Sequence, residues 1–218
     1  MQVRFVVVVA HPDDETLGAG GTIARFVAAG HEAHVLCLSN GVGARDDGDV
    51  DGRCAEFVAA MEILGVEHYE VGPFPDNQFD TRSRLELAQW VEHALAKIGD
   101  AHYLITHSMA DLNVDHRRTH EAVLVATRPY VRNYMQTWAC EVLSSTECGI
   151  RPFMPNVYVR FDGGALQKRD AALACYKSEL RQLPHPRSAM GATSTMIRRG
   201  VECGSLGAEA FELIREVL

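Results

Sequence analysis

The stretch VRFVVVVAHPDDETLG, residues 3–18, decides the fold: a valine-rich run stops at His11 and Pro12 and is followed at once by Asp13, Asp14 and Glu15. An unbroken β-branched run without apolar–polar alternation predicts a strand over residues 3–10 that is buried on both faces, as in a parallel sheet. Neighbouring carboxylates at the end of such a strand repel one another and lose solvation. They require a counter-charge, either a cation or a hydrogen-bond network. The alternative is a solvated helix N-terminus, where acids are favoured by the helix dipole.

Outward from this stretch, apolar β-type runs alternate with helix-period segments. Leu17, Ile23, Phe26 and Val27 fit an amphipathic helix that stops at Gly30; AHVLCLS, residues 33–39, is the second strand, and NGVGARDDGDVDG is an acidic loop. A helix with Phe57, Val58, Met61 and Leu64 on one face ends at Gly65, a short strand around HYEVG leads into the loop PFPDNQFDT, and Leu87, Ala88, Val91, Leu95 and Ile98 mark a helix near residues 84–98. HYLITH, residues 102–107, is another strand; the loop SMADLNVDH follows and opens into a helix through RRTHEAVLVATRP. This order predicts one α/β domain over residues 1–218, a mostly parallel sheet with helices on both faces. Beyond residue 130, WACEVLSS and NVYVRFD read as strands at a sheet edge, ALQKRDAALACYKSELRQL as a helix, PHPRS as a loop and GAEAFELIREVL as a terminal helix.

The 218 residues carry 21 Lys and Arg against 29 Asp and Glu, a net charge of −8, with no basic run. That balance argues against a nucleic-acid or anionic-membrane partner and for a small-molecule ligand. No apolar run approaches the roughly 20 residues of a membrane span, and the N-terminal run leads into HPDDE, not into a small-residue cleavage site. The six scattered cysteines form no CxxC and suit free thiols in a reducing cytoplasm.

Four loops, at HPDDE, residues 40–53, FPDN and SMADLNVDH, each follow a predicted strand, so they converge on the carboxyl edge where open α/β sheets bind ligands. His11 and Asp14, three residues apart, pair an imidazole with a carboxylate for a divalent ion, and Pro12 presets the turn. His116, at the helix start on the same edge, is the candidate third ligand, leaving a fourth position for water as in catalytic zinc sites. Taken alone, His116 reads as a cap or a surface residue; joined with HPDDE on the same edge it reads as a ligand. Asp13, set between the ligands, is the candidate general base, and Glu15 is expected to pair with Arg53. His120, four residues after His116, is a packing residue, since HRRTH lacks the glutamate of HExxH. Two histidines and a carboxylate also describe non-haem Fe(II) oxygenases, which favour β-barrels. A nucleotide or sugar-phosphate binding module is the non-enzyme alternative, but neither GxGxxG nor GxxxxGK[ST] follows a strand.

HPDDE, followed some 100 residues later by DLNVDH, resembles the zinc-dependent N-deacetylases of the PIG-L/LmbE-like family, which remove acyl groups from N-acetylglucosamine-type sugars. RCAEFVAAMEILGV, FPDNQFDT, THSMADLNVDHRRTHEAV and RRGVECGSLGAEAF extend the likeness over most of the chain. The resemblance implies a Rossmann-like fold, Zn²⁺ or another divalent ion such as Fe²⁺ on His11, Asp14 and His116, and Asp13 as base. It implies that Arg53 and Asp76 contact the sugar, that acetate and a free amine are released from an N-acetylated sugar or a related N-acylated conjugate, and that the chain forms a closed homo-oligomer. One position departs from the family: Asn113 stands where many members carry a histidine that assists the oxyanion or the leaving group. Asparagine donates a hydrogen bond but is no acid of pKa near 7; His107 is the alternative holder of that role.

Overall fold

The computed structural model describes residues 2–41, 49–131 and 134–217. Residues 42–48 of the acidic loop lie outside the described residues.

The amino-terminal part runs β1 (Arg4–Val9), α1 (Asp14–Ala28), β2 (Glu32–Ser39), α2 (Val50–Leu64), β3 (His68–Phe74), α3 (Arg84–Ile98), β4 (Tyr103–His107) and α4 (Val114–Ala126). It continues through β5 (Gln136–Cys140), β6 (Val157–Phe161), α5 (Gly163–Leu173), α6 (Ala189–Cys203) and β7 (Gly207–Glu216). One seven-stranded sheet has the order β3-β2-β1-β4-β5-β7-β6. β3 to β5 along that order are parallel, and β7 runs antiparallel to both β5 and β6. This is the mostly parallel α/β sheet, helices on both faces, that the sequence predicts.

β1 lies at its centre. Val6, Val8 and Ala10 pack with α3 and α4, whereas Phe5, Val7 and Val9 pack with α1 and α2 on the other face. Val6 to Val9 are completely buried, each valine worth roughly 1.5–3 kcal/mol of apolar transfer. That two-sided burial explains the run without alternation. β1 pairs with β2 on one side and β4 on the other. The chain therefore leaves the sheet in opposite directions beside the carboxyl end of β1, and the crevice opens there. No helix among the described residues is long and apolar enough to cross a membrane.

Five readings need correction, four of them in the second half. GAEAFELIREVL is a strand: its Ala, Glu and Leu favour helix locally, but β5 and β6 offer main-chain partners on both sides, and Gly207 to Phe211 are all buried there. The helix expected over residues 165–183 stops at Leu173, and β5 ends at Cys140, short of the expected residue 145. Residues 189–203, assigned no element from the sequence, form α6, capped by Ser188 accepting the Gly191 N–H. α4 begins at Val114, three residues earlier than expected, because Asn113 Oδ1 caps it by accepting the Asp115 N–H.

Candidate metal and acid–base centre

The HPDDE turn is shaped by one strained residue. Asp13 has φ 109° and ψ −29°, a left-handed conformation that a non-glycine residue holds only when its surroundings enforce it. α1 starts at Asp14, so His11 and Asp14 do not share a helical turn as their spacing suggests. The bend at Asp13 brings them together instead: the His11 N–H donates to Asp14 Oδ2 at 2.9 Å and His11 Nδ1 lies 3.3 Å from the same oxygen.

α4 delivers the third group. His116 is fully buried, with Nε2 3.2 Å from Asp14 Oδ2 and Nδ1 3.2 Å from Asp111 Oδ1. These are close approaches without hydrogen-bond alignment: both His116 nitrogens and Asp14 Oδ1 are buried and lack a hydrogen-bond partner. One ligand atom each from His11, Asp14 and His116 falls within 4.8 Å of the others. Buried polar atoms left unpaired are costly, and two imidazoles with a carboxylate are a donor set for zinc. The residues present thus fit a divalent cation.

Carboxylates back both imidazoles. His116 Nδ1 faces Asp111, and His11 Nε2 lies 3.0 Å from both Asp115 Oδ2 and Asp76 Oδ1. Such partners fix ring orientation and tautomer in metal sites. Asp115 is held in turn by the N–H groups of Asn77 (2.6 Å) and Phe79 (2.9 Å), Asp111 by the hydroxyls of Ser145 and Thr146. His11, Asp76 and Asp115 form a second group with converging ligand atoms, sharing His11 with the first.

The charges are interdependent. Burial opposes ionisation of Asp14, but His116, His11 and His107 outweigh it and hold the carboxyl well below the usual range. Burial likewise disfavours the His116 imidazolium, yet Asp14 and Asp111 raise it to about 9. Burial acts against the Asp111 carboxylate too, and His116 with the two hydroxyls overcomes it, lowering the group to about 2. Asp14 thus demands positive charge beside it, and a cation would displace the His116 proton to supply it. Asp13 goes the other way: burial, reinforced by Asp14, raises it to about 7 against the pull of Arg187 and Arg53.

The remaining expected residues fall into place unevenly. Asn113 lies at the crevice with Oδ1 committed to the α4 cap. Asp76 reaches the crevice wall, 8% exposed. Arg53 is 6% exposed and engaged by protein: Nη2 donates to Pro12 O at 2.5 Å and Nη1 to Ser178 Oγ at 3.1 Å. His107 is fully buried beneath His116, ring on ring at 3.9 Å, and its Nε2 accepts the Ala10 N–H at 2.8 Å. Burial keeps it neutral, well below the usual histidine value. Its ring thus lies under His116, with no exposure to the crevice. His120 packs with Nδ1 2.7 Å from the His107 carbonyl. Glu15 does not pair with Arg53: it is fully buried and accepts from Tyr176 Oη (2.6 Å), Thr16 Oγ1 (2.6 Å) and the Asp13 N–H (3.0 Å). The sequence reading missed Asp111, Asp115, Tyr176 and Arg187. Only the first two carry a signal, their place in the loop ahead of His116.

Comparison with known proteins follows the same lines. A 1D-myo-inositol 2-acetamido-2-deoxy-alpha-D-glucopyranoside deacetylase of Rhodococcus jostii is 51% identical over 64 residues, 28% of this chain and 20% of that protein. The chain spans less than a third of the length of the first curated deacetylases it matches. The fold is shared with N,N'-diacetylchitobiose deacetylase of Pyrococcus horikoshii (TM-score 0.79, 16% identity, 97% of this chain and 83% of the other). It is also shared with GalB, a 4-carboxy-2-hydroxymuconate hydratase of Pseudomonas putida (TM-score 0.75, 21% identity, 100% and 98%). Fold alone therefore leaves the reaction open. The family model described as PIG-L, GlcNAc-PI de-N-acetylase, matches residues 6–127, more than half of the sequence, and the chain belongs to that family.

Proposed function

We propose that this protein is a metal-dependent hydrolase that removes the N-acetyl group from an N-acetylglucosamine-type sugar or glycoconjugate, releasing acetate and a free amine. The observation that carries the reading is the convergence of ligand atoms from His11, Asp14 and His116, with Asp14 Oδ1 and both His116 nitrogens buried and unpaired, beside a strained Asp13. Those three residues would hold zinc, which when bound polarises an acyl carbonyl and makes a water more acidic.

The chain's own residues supply the proton transfers and the orientation. Asp13, raised to about 7 by burial, accepts a proton from the attacking water and returns it to the leaving nitrogen. The Asn113 side-chain amide donates a hydrogen bond to the developing oxyanion. Asp76 accepts from sugar hydroxyls, and Arg53 fixes the turn through Pro12. His107 keeps His116 in place. We take residues 1–218 as one catalytic domain, acting in the cytoplasm on a small N-acetylated sugar. Its six free cysteines suit that compartment.

An acetate-release screen over N-acetylglucosamine, N,N'-diacetylchitobiose and N-acetylglucosaminyl-inositol tests the reading. Wild type supplied with zinc releases acetate and stops on chelation, and Asp13→Asn loses about 10²–10⁴-fold while still binding the metal. Absence of acetate release from every member, or an active Asp13→Asn, overturns it. Elemental analysis after aerobic purification separates zinc from iron.

A further inference from the structure

The segment between α5 and α6, residues 174–188, crosses the HPDDE turn and touches it in several places. Tyr176 donates to Glu15, Ser178 and Glu179 face Arg53, and Arg187 Nη1 donates to Asp13 Oδ2 at 2.9 Å. Arg187 is itself anchored: Nε donates to the Leu143 carbonyl at 3.2 Å, and Glu179, 3.5 Å away, faces its Nη1. Glu179 also lies 3.4 Å from Arg53 Nη1, so one carboxylate links the two arginines beside the base. Arg53 Nη2 is farther from Asp13, at 3.7 Å.

Geometry gives the arginine a particular task. Asp13 sits at φ 109°, a strained conformation that its surroundings enforce. As the N-cap of α1 it makes no side-chain cap bond. Its Oδ2 is taken by Arg187, and no hydrogen bond engages Oδ1 among the described residues. A planar guanidinium can grip Oδ2 and the Leu143 carbonyl together in one fixed fork; an ammonium cannot.

We infer that Arg187 is a positioning residue for the base: by holding Asp13 Oδ2 it aims Oδ1 at the water and at the leaving nitrogen. The inference rests on the hydrolase reading proposed above. It concerns the direction of the carboxylate, not the holding of the metal, since Arg187 contacts none of the three metal-group residues.

The test compares wild type, Arg187→Ala and Arg187→Lys for metal content, and for kcat and KM on the acetylated sugar that wild type cleaves fastest. In Arg187→Ala kcat falls about 10²-fold with KM within about threefold of wild type, as expected of a misplaced catalytic group. Metal content stays at the wild-type level. Arg187→Lys recovers about tenfold over alanine, and added guanidinium ion restores part of the Arg187→Ala rate, which repair of a general folding defect does not do. A kcat within about threefold of wild type, a loss confined to KM, or loss of metal overturns the inference. If the alanine variant does not fold, the lysine variant decides by the same criteria. If wild type itself releases no acetate, the deacetylase reading falls on its own. Crystal structures of wild type and Arg187→Lys then decide the inference: an Asp13 carboxylate that turns away upholds it, and one that stays overturns it.

Discussion

The parallel part of the sheet and its antiparallel edge serve the centre in different ways. β1, β3 and β4 end in turns that carry the donors His11, Asp14, Asp76, Asp111, Asp115 and His116. Among the described residues, the region from β5 onward adds no donor to the metal group; it restrains the others. Ser145 and Thr146 hold Asp111, Tyr176 holds Glu15, Arg187 holds Asp13, and Glu209 on β7 accepts the N–H groups of Gly21 and Thr22 on α1 at 2.7 Å. Donors are placed by local chain geometry at strand ends, and their orientation is fixed from a distance. Damage to the first part should therefore remove metal; damage to the second should cost rigidity and rate.

The seam between the two parts gives the largest expected effect on stability. α1 carries Gly21 against the Phe161 ring of β6, and a Cβ at that position would stand 2.6 Å from Cε1 and 2.7 Å from Cζ. Helix propensity favours alanine over glycine by about 1 kcal/mol, whereas overpacking a filled interface costs about 1–3 kcal/mol. The steric term wins. Gly21→Val should lower the unfolding free energy by about 3 kcal/mol in urea titration. An unchanged midpoint would mean that α1 and the edge strands are loosely joined, and the division of labour would lose its mechanical basis.

The same contrast governs what could be read from the sequence. The strand VVVV, the acids after it and the His116 loop are local signals, since a buried parallel strand and a ligand-bearing turn are each contained in a few consecutive residues. Restraint is not local. Arg187 meets Asp13 across 174 positions and Tyr176 meets Glu15 across 161, so no spacing links them. Glu15 pairs differently from the sequence expectation for this reason: an arginine is the natural electrostatic partner, and only the folded chain brings a tyrosine hydroxyl to it. Asp111 and Asp115 look like solvated loop acids until Ser145, Thr146 and the Asn77–Phe79 amides close around them. β7 reads as a helix in the sequence because its residues favour helix, and only the strands on each side decide otherwise.

Tyr176→Phe tests restraint of the HPDDE turn with smaller damage. The phenol bond to a fully buried Glu15 disappears while Thr16 and the Asp13 N–H remain as donors. Loss of one partner from a buried acceptor is worth about 1–3 kcal/mol, and remaining donors put the expected loss at about 1.5 kcal/mol in thermal unfolding. Metal content should not change. If the variant loses metal, the donors depend on the distant segment for their placement, and the two parts are not separable in this way.

Glu212 of β7 offers the smallest and most conditional effect. Its carboxylate faces Arg151 at 2.8 Å, accepts the Met154 N–H at 2.9 Å and takes a long bond from Ser108 Oγ at 3.3 Å, thereby joining the antiparallel edge to the loop that follows β4. Burial opposes its ionisation, but Arg151 and the Met154 amide outweigh that and lower it below the ordinary glutamate value. A lowered carboxylate contributes stability that is present above its unfolded pKa and lost as pH falls through the folded one. Arg151 is half exposed, with 47% of its side-chain surface accessible, so solvent screening limits the pair to less than about 1 kcal/mol. Glu212→Gln should be less stable than wild type at neutral pH, and the gap should close as the pH falls below the usual glutamate range. A gap that persists in acid would assign the contribution to the shape of the side chain, and Glu212 would then act as packing at the edge, not as an ionic link between the two parts.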